Sequence, residues 1–338
     1  MYKTVVTGGT AMSAYSKTNG IIIHDTDIGE YWKNLFLSSG LDVLGIHPAG
    51  GIDAHNTLDA FLSSLKQMNT EKFISDMLDK GVSLQLECHA LSWLMPRELF
   101  EKHPHWFRVN ALGERTADFN MCPSCGEALD YLAERARCLA TLIPWNGRFY
   151  HLWIDDVAAA PCMCDSCKHL SASDQAMIIY NAMLRGLKSY RSDAALSYLA
   201  YHGTIKAPEI KPDDGIFLEY APIRRRFDKC VCDPDCAENM KEIESLDSLL
   251  AFFGTNNSKV LEYWMDNSLF SGWKKPYVKL PFNREVLQKD VEFYRGKGFE
   301  NITSFGCFLG EEYAAEYGIP PVNEYGEVLK NFSIIKGN

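Results

Sequence analysis

The chain has 338 residues, of which 46% are hydrophobic and 23% charged, as in an ordinary globular protein of one large domain or two smaller ones. Its formal net charge of -10 argues against a nucleic-acid-binding surface and favours neutral small molecules or sugars as partners. Neither an apolar run of membrane-spanning length nor a basic, then apolar N-terminal segment occurs, so we expect a cytoplasmic protein with no membrane partner.

Short buried strands alternate with helical patterns along the chain. The predicted strands are 43–48, 82–89, 150–156, 196–201, 215–220, 260–266, 277–280 and 302–306. Residues 21–25 form an edge strand or a leading segment. The predicted helices cover 69–80, a short stretch from Pro96, 126–142, a segment capped by Ser171 or Ser173, 237–253 and 283–295.

Eight strands with mostly helical connections predict an α/β fold, namely a (β/α)8 TIM-like barrel with some connecting helices missing. Two connections lack a helix, and the segment 206–214 is too rich in proline to form one. We expect a single barrel domain over residues 1–338, with 1–40 as an N-terminal leading segment. An open, doubly wound sheet is the alternative.

Two adjacent carboxylates, Asp155 and Asp156, end the strand that begins at Tyr150. If both face a shared cleft, their mutual repulsion keeps one protonated beside one charged carboxylate, which is the requirement for acid catalysis. The alternative is that one caps the following segment and the other is solvated. We predict Asp155 and Asp156 as the catalytic pair.

Polar and aromatic residues also collect at the other predicted strand ends, where the active site of a barrel lies. Carboxylates beside Trp and Tyr rings suit a sugar, whose hydroxyls need hydrogen bonds and whose ring face stacks on aromatics. The predicted substrate-binding residues are His47, Glu87, His89, Tyr201, Glu219, Tyr220, Trp264, Asp266 and Asn267.

Residues 21–325 resemble a bacterial domain family of unknown function that is associated with glycoside hydrolases. The segments that carry the resemblance are 45–48 (GIHP), 87–92 (ECHALS), 121–124 (MCPS), 153–156 (WIDD), 162–167 (CMCDSC), 199–201 (LAY) and 262–266 (EYWMD). The resemblance implies a glycosidase that needs no cofactor for its chemistry. Because the chain is only one barrel long, we expect it to act on small glycosides or oligosaccharides.

Two more distant resemblances suggest different sugars. The segments at 154–157 and 264–267 are similar to those of retaining β-N-acetylglucosaminidases, which implies that Asp155 polarises the substrate's acetamido group while Asp156 protonates the leaving oxygen. The barrel also resembles that of α-glucuronidases, and Arg224, in the run 224–226, would then bind a uronic-acid carboxylate. A solvated basic loop is the alternative for this run.

The cysteines predict a metal site, because short-spaced pairs on separate loops are the usual sequence form of one. Two clusters supply the predicted ligands of a structural zinc ion: Cys162, Cys164, Cys167, Cys230, Cys232 and Cys236. Cys122 and Cys125 either contribute ligands or belong to a bare loop, and reduced thiols without metal are the alternative for both clusters.

Three classes of function remain open on the sequence. The first is a glycoside hydrolase, and the second is a catalytically silent carbohydrate-binding barrel with the same cleft, since a fold does not decide activity. The third is a metal-dependent hydrolase that uses His47 and His89, although the chain has no H-E-x-x-H motif.

Overall fold

A computed structural model describes residues 18–332, and in it eight parallel strands pair in chain order and close into a barrel. The strands are β1 (Thr18–His24), β2 (Val43–His47), β3 (Ser83–His89), β4 (Phe149–Trp153), β5 (Ala195–Ala200), β6 (Ile216–Tyr220), β7 (Lys259–Glu262) and β8 (Asn301–Phe305). Because β8 pairs with β1, the ring is closed. The barrel prediction is confirmed, and the open sheet is excluded.

Helices surround the barrel. They are α1 (Glu30–Ser39), α2 (Ala54–Ser64), α3 (Met68–Asp79), α4 (Leu91–Leu94), α5 (Gly126–Leu142), α6 (Ala172–Tyr190), α7 (Ala237–Glu242), α8 (Leu246–Phe253), α9 (Asn267–Phe270), α10 (Arg284–Lys297), α11 (Glu311–Tyr317) and α12 (Val322–Asn331). The β5–β6 connection contains only a 3₁₀ turn, as its prolines predict. Across residues 18–332, every helix falls short of the length or apolarity needed to cross a bilayer.

The structure corrects two of the predicted segments, at the start of the chain and at 277–280. Thr18–His24 is the first barrel strand, so residues 18–40 belong to the barrel and do not precede it; residues 1–17 lie outside the described part of the chain. The predicted strand 277–280 is irregular. Pro276 and Pro281 flank that segment and have no N–H to give to a ladder, and the barrel is complete without it.

The barrel interior contains a charged layer beneath an apolar one. Lys259 of β7 lies between the carboxylates of Glu87 on β3 and Glu219 on β6, at N–O distances of 2.5 Å and 3.0 Å. His151 of β4 contacts Glu219 at 3.0 Å. Burial opposes the charge of Lys259, but the two carboxylates outweigh it and raise its pKa. These contacts join four strands below the carboxyl end of the barrel.

The apolar layer above closes the barrel toward its carboxyl end. Its buried residues include Ile22, Trp153, Leu199, Leu261, Tyr263 and Phe305. They face inward in the same alternation as the charged layer: Leu261 and Tyr263, for example, lie two and four positions after Lys259. The indole N–H of Trp153 donates to Glu219 at 2.7 Å and joins the two layers. The layer is the floor on which a ligand would rest.

Candidate functional site

A cavity of about 470 Å³, which we call the mouth cavity, opens above this floor at the carboxyl ends of the strands. Its polar lining includes His24, His47, His89, Asp156, Tyr201, Asp266 and Ser268. Its aromatic lining comprises Trp153, Tyr263, Trp273, Phe305 and Phe308. The position is that of the active site in (β/α)8 enzymes, and the volume is in the range of small-molecule sites.

Asp156 lies in the mouth cavity among hydrogen-bond donors. Its carboxylate accepts the N–H of Gly51 at 3.0 Å and the hydroxyl of Tyr201 at 3.4 Å, and it lies 3.7 Å from Nε2 of His89. Burial alone would raise its pKa, but His89 and the Gly51 N–H together hold the pKa below its usual value. Asp156 is therefore charged at neutral pH.

Asp266 lies in the same cavity in the opposite kind of environment. Its Oδ1 accepts hydrogen bonds from the hydroxyl and N–H of Ser268 and from the N–H of Leu269, at 2.5, 3.1 and 3.4 Å, and so caps α9. All these bonds fall on Oδ1, which leaves Oδ2 for the cavity. Burial raises the pKa of Asp266 to about 6 despite these bonds. This carboxyl group retains a proton under mildly acidic conditions.

Two histidines that the sequence predicts, His47 and His89, line the cavity in a fixed orientation. Nδ1 of His47 donates to the carbonyl of Glu87 at 2.7 Å, and Nδ1 of His89 donates to that of Ile154 at 2.6 Å. Since a carbonyl only accepts, Nδ1 carries the hydrogen in both rings. Burial, with His24 nearby, lowers the pKa of His47 to about 3, so this ring is neutral.

Asp155, the other predicted catalytic residue, does not line the mouth cavity. Its carboxylate pairs with Arg97 and accepts the N–H of Asn120 at 2.5 Å, while its own N–H donates to Oδ1 of Asn120 at 3.1 Å. The expectation of two carboxyls in one cleft is thus corrected, because successive side chains diverge where the strand ends. Asp155 instead connects the loop after β4 to the loop before α5.

Glu87 and Glu219, predicted to bind substrate, are fully buried in the charged layer below the cavity floor. Both are ion-paired to Lys259. Their side chains do point into the barrel, as predicted, but from positions one layer deeper than the strand ends. A ligand in the mouth cavity contacts neither, since the apolar floor intervenes.

Trp264 and Tyr220 are also placed differently from the prediction. Both point away from the barrel axis, because they alternate with the inward residues Tyr263 and Glu219. The indole N–H of Trp264 donates to Asp290 on α10 at 2.8 Å, and the Tyr220 hydroxyl donates to the carbonyl of Glu242 at 3.0 Å. They support the layer between strands and helices and do not bind a sugar in the cavity.

Asn267 and the arginine run likewise lie outside the cavity lining. The amide N–H of Asn267 donates to the carbonyl of Val278 at 3.0 Å and so fixes an irregular loop. Arg225 is buried between Glu262 and Asp290 at 2.7 Å from each. Arg224 and Arg226 are both exposed, and Arg226 pairs with Asp228 at 2.6 Å, which leaves Arg224 as the arginine of this run that is most open to a ligand outside the cavity.

The cysteines form a different group from the predicted one. Cys162, Cys164 and Cys167 converge with Cys122 of the preceding loop. The other predicted ligands do not join them: Cys230 and Cys232 line a separate surface pocket beside α10, and Cys236 directly precedes α7. Cys122 was among the open alternatives because of its short spacing to Cys125, but no sequence spacing shows which loops meet.

Metal-compatible groups within residues 18–332 are this cysteine cluster and the set Glu87, His151 and Glu219. The second set already surrounds the Lys259 ammonium, which takes the place a cation would occupy. His47 and His89 belong to neither group, so the geometry gives no support to a metal-dependent hydrolase built on them.

Several lining residues were missed by the sequence analysis. His24 is the last residue of β1, as His47 is the last residue of β2. A polar residue at the end of the apolar run 21–23 could have identified His24 as a lining residue from the sequence. Trp273 and Phe308 come from loops, where no periodicity marks a position as functional. Tyr263 was missed because the predicted strand 260–266 extends four residues past the end of β7, so Tyr263 was not recognised as a strand-end residue.

A family described as DUF4838, a domain of unknown function, matches residues 55–307. The chain belongs to the DUF4838 family. The match extends from α2 past the end of β8, and it includes Asp156 and Asp266. No curated protein matches this DUF4838 chain significantly.

Solved structures share the fold at low sequence identity. Gan42B, a GH42 β-galactosidase, is 13% identical with a TM-score of 0.60, and the alignment covers 95% of this chain and 57% of that one. The β-galactosidase of Rahnella sp. R3 is 11% identical (TM-score 0.57; 95% and 57% covered), as is that of the psychrophilic Marinomonas ef1 (0.55; 94% and 60%). The DUF4838 chain therefore spans less than two thirds of each of these proteins.

Proposed function

We propose that this DUF4838 domain hydrolyses small glycosides, with Asp266 as the general acid and Asp156 as the base or nucleophile. The observation that carries the proposal is that two carboxyl groups line one cavity in opposite environments. Asp156 is surrounded by hydrogen-bond donors, whereas Asp266 is buried with one oxygen left for the cavity. Such a divided pair supplies the two roles that glycoside hydrolysis requires.

Asp266 is suited to protonate the leaving-group oxygen. Leaving-group departure from a sugar needs a proton at the glycosidic oxygen, and the raised pKa of Asp266 keeps that proton available up to about pH 6. The hydrogen bonds from Ser268 and Leu269 hold Oδ1 in place, so the cavity-facing oxygen has a fixed direction.

Asp156 is suited to stabilise or attack the positive charge that develops at the sugar. Its charge is maintained by the Gly51 N–H and the Tyr201 hydroxyl. Burial, followed by the nearby carboxylates, raises the pKa of Tyr201, so its hydroxyl stays protonated and remains a donor. These donors also fix the carboxylate, which is the preorganisation that a nucleophile or base needs.

The shape and lining of the cavity favour a sugar over other small molecules. Trp153, Tyr263 and Trp273 offer ring faces to the apolar side of a pyranose, while the histidines and Tyr201 offer hydrogen bonds to its hydroxyls. Asp155, the residue expected to polarise an acetamido group in the substrate-assisted route, lies outside the cavity. A simple hexoside is the favoured substrate class, and the shared fold of the β-galactosidases makes galactosides the first to assay.

The test is hydrolysis of 4-nitrophenyl and alkyl galactosides, glucosides, glucuronides and N-acetylglucosaminides by wild type, Asp156→Asn and Asp266→Asn. Asp213→Asn, an exposed carboxylate, is the matched control. We expect Asp266→Asn to lower kcat/KM by about 10²-fold or more on alkyl glycosides and much less on 4-nitrophenyl glycosides, whose leaving group needs no proton. Asp156→Asn should lower it on both.

Two outcomes would overturn the proposal. Saturable binding of a sugar with no turnover on any member of the panel would identify a carbohydrate-binding barrel. Turnover that both substitutions leave at the wild-type rate would place the catalytic groups elsewhere. Unchanged activity in Asp213→Asn shows that loss of a surface charge is not the cause of any decrease.

A further inference from the structure

Four thiols converge between two loops beside the mouth cavity. The sulfur atoms of Cys122, Cys162, Cys164 and Cys167 all lie within 4.8 Å of one another. Sγ of Cys122 is 3.8 Å from that of Cys164 and 3.9 Å from that of Cys167. Cys122, Cys162 and Cys167 are buried, and Cys164 is partly exposed.

These separations fit a metal tetrahedron and not a disulfide. Two bonded sulfurs are about 2 Å apart, roughly half the distances seen here. Zinc binds thiolates at about 2.3 Å, so two corners of a ZnS₄ tetrahedron are about 3.8 Å apart. The cluster has the size of that tetrahedron before any ion is placed in it.

The surrounding structure orients the sulfur atoms. The N–H of Val109 donates to Sγ of Cys162 at 3.3 Å, as neighbouring amides commonly do to metal-bound thiolates. The buried side chain of Gln175 accepts the Cys162 N–H at 2.7 Å and donates to the carbonyls of Cys162 and Cys167 at 3.0 and 3.1 Å. One residue of α6 therefore fixes both ends of the ligand loop.

We propose that Cys122, Cys162, Cys164 and Cys167 bind one structural zinc ion. Four thiolates complete a tetrahedral coordination shell and leave no open position for a substrate, which is the arrangement of a structural site. This ligand set takes one cysteine from the loop before α5 and three from the loop after β4. It excludes Cys230, Cys232 and Cys236, which sequence spacing alone grouped with it.

The ion would fix the loop that carries Asp156. Cys122 comes two residues after Asn120, which holds Asp155 through its N–H and its side-chain oxygen. Asp155 and Asp156 begin the same loop that ends in the three other ligands. The two loops would therefore be joined twice, by the Asn120–Asp155 contacts at one end and by the metal at the other.

Metal content tests the site without reference to catalysis. Protein purified under reducing conditions without chelator should contain about one zinc ion per chain by elemental analysis. Cys122→Ser should reduce that content severalfold, whereas the double variant Cys230→Ser/Cys232→Ser should retain it. Replacing the ion with Co²⁺ should give the visible absorption of tetrahedral thiolate coordination.

A measurement on the wild type avoids any folding defect of a variant. Iodoacetamide labelling followed by peptide mass spectrometry should show Cys122, Cys162, Cys164 and Cys167 protected, and all four should become reactive after a strong chelator. Absence of zinc from reduced protein grown with zinc would overturn the proposal. Zinc lost on substituting Cys230 and Cys232, but kept in Cys122→Ser, would overturn it equally.

Discussion

Gly50 determines how closely the loop after β2 approaches Asp156. A Cβ atom at this position would lie 2.9 Å from Oδ2 of Asp156, closer than real Cβ atoms lie to a neighbour, and 3.1 Å from Cδ2 of His89, which is a tight contact. Both contacts are with side chains of the proposed active site, so any added carbon must displace them. The glycine is required by close packing and not by its backbone conformation.

Gly50→Ala is therefore predicted to disturb catalysis more than stability. Displacing the carboxylate by a fraction of an ångström should lower kcat/KM by about 10²-fold on the best glycoside, because reaction rate depends steeply on alignment. Gly296→Ala, on α10, is the control: nothing lies within 4 Å of its added Cβ. Equal rates in Gly50→Ala and wild type would show that Asp156 need not stay where it lies.

Asp155→Asn separates a structural role from a catalytic one. Since Asp155 is buried against Arg97 and Asn120, its substitution should lower the free energy of unfolding by about 1–3 kcal/mol, measured by denaturant titration. The folded variant should keep a kcat/KM within about tenfold of wild type and the same preference among leaving groups. A loss as large as that of Asp156→Asn, at unchanged stability, would restore the adjacent pair as the catalysts.

The residues that sequence reasoning placed well lie at strand ends or in the loops that directly follow them. His47, His89, Asp156, Tyr201 and Asp266 all line the cavity. Tyr220 and Trp264 failed because a shift of one position along a strand reverses the direction of the side chain. Glu87 and Glu219 point inward as predicted but lie one layer too deep. The predicted ends of β4 and β7, at 156 and 266, lie three and four residues beyond the observed ends at Trp153 and Glu262, and this is too coarse to separate Asp155 from Asp156 or Tyr263 from Trp264.

The strands themselves are held together by charge as well as by apolar packing. Lys259 of β7 is almost fully buried and neutralises carboxylates on β3 and β6, which lie on either side of the barrel interior. Removing the ammonium would leave Glu87 and Glu219 buried without a cation. Such uncompensated charges are costly because the interior cannot solvate them.

Lys259→Met is predicted to lower the free energy of unfolding by about 3–5 kcal/mol, as measured by chemical denaturation at pH 7. Lys72→Met, which removes an exposed ion pair with Asp76 on α3, should change it little and serves as the control. If the two variants unfold at the same denaturant concentration, the charged layer does not stabilise the barrel.

At the level of elements, the sequence predicted most of the barrel because its strands are short apolar runs that end in polar residues. It misassigned β1, since an apolar run near the start of a chain has no preceding helix to identify it as part of a repeat. It also read 277–280 as a strand from local composition. Only the closure of the ring, which depends on pairing between distant segments, shows that β1 fills that place.

In the whole molecule, the residues that stabilise the barrel and the residues that line the cavity lie at different levels along the barrel axis. The charged layer and the apolar floor are buried, while the mouth cavity above them is lined by side chains from the ends of β1 to β8 and their loops. This division matches the general (β/α)8 arrangement, in which loops at the carboxyl end vary and the barrel does not. The opposite environments of Asp156 and Asp266 follow from their places on two different loops.

These environments predict the pH dependence of the reaction. Asp156 must be charged, and its pKa lies below the ordinary value of 3.8, so activity should persist into the acid range. Asp266 must be protonated, and its pKa is about 6, so kcat/KM should fall as pH rises through about 6, when the proton is lost. The rate should therefore be highest between these two values.

The most direct measurement is the pH profile of kcat/KM on an alkyl glycoside, for wild type and Asp266→Asn. The wild-type profile should fall about tenfold for each pH unit above 6, and the much lower profile of Asp266→Asn should lack this decrease. A wild-type rate that stays level through pH 6, or a decrease near pH 6 that persists in Asp266→Asn, would contradict the assignment of Asp266 as the acid.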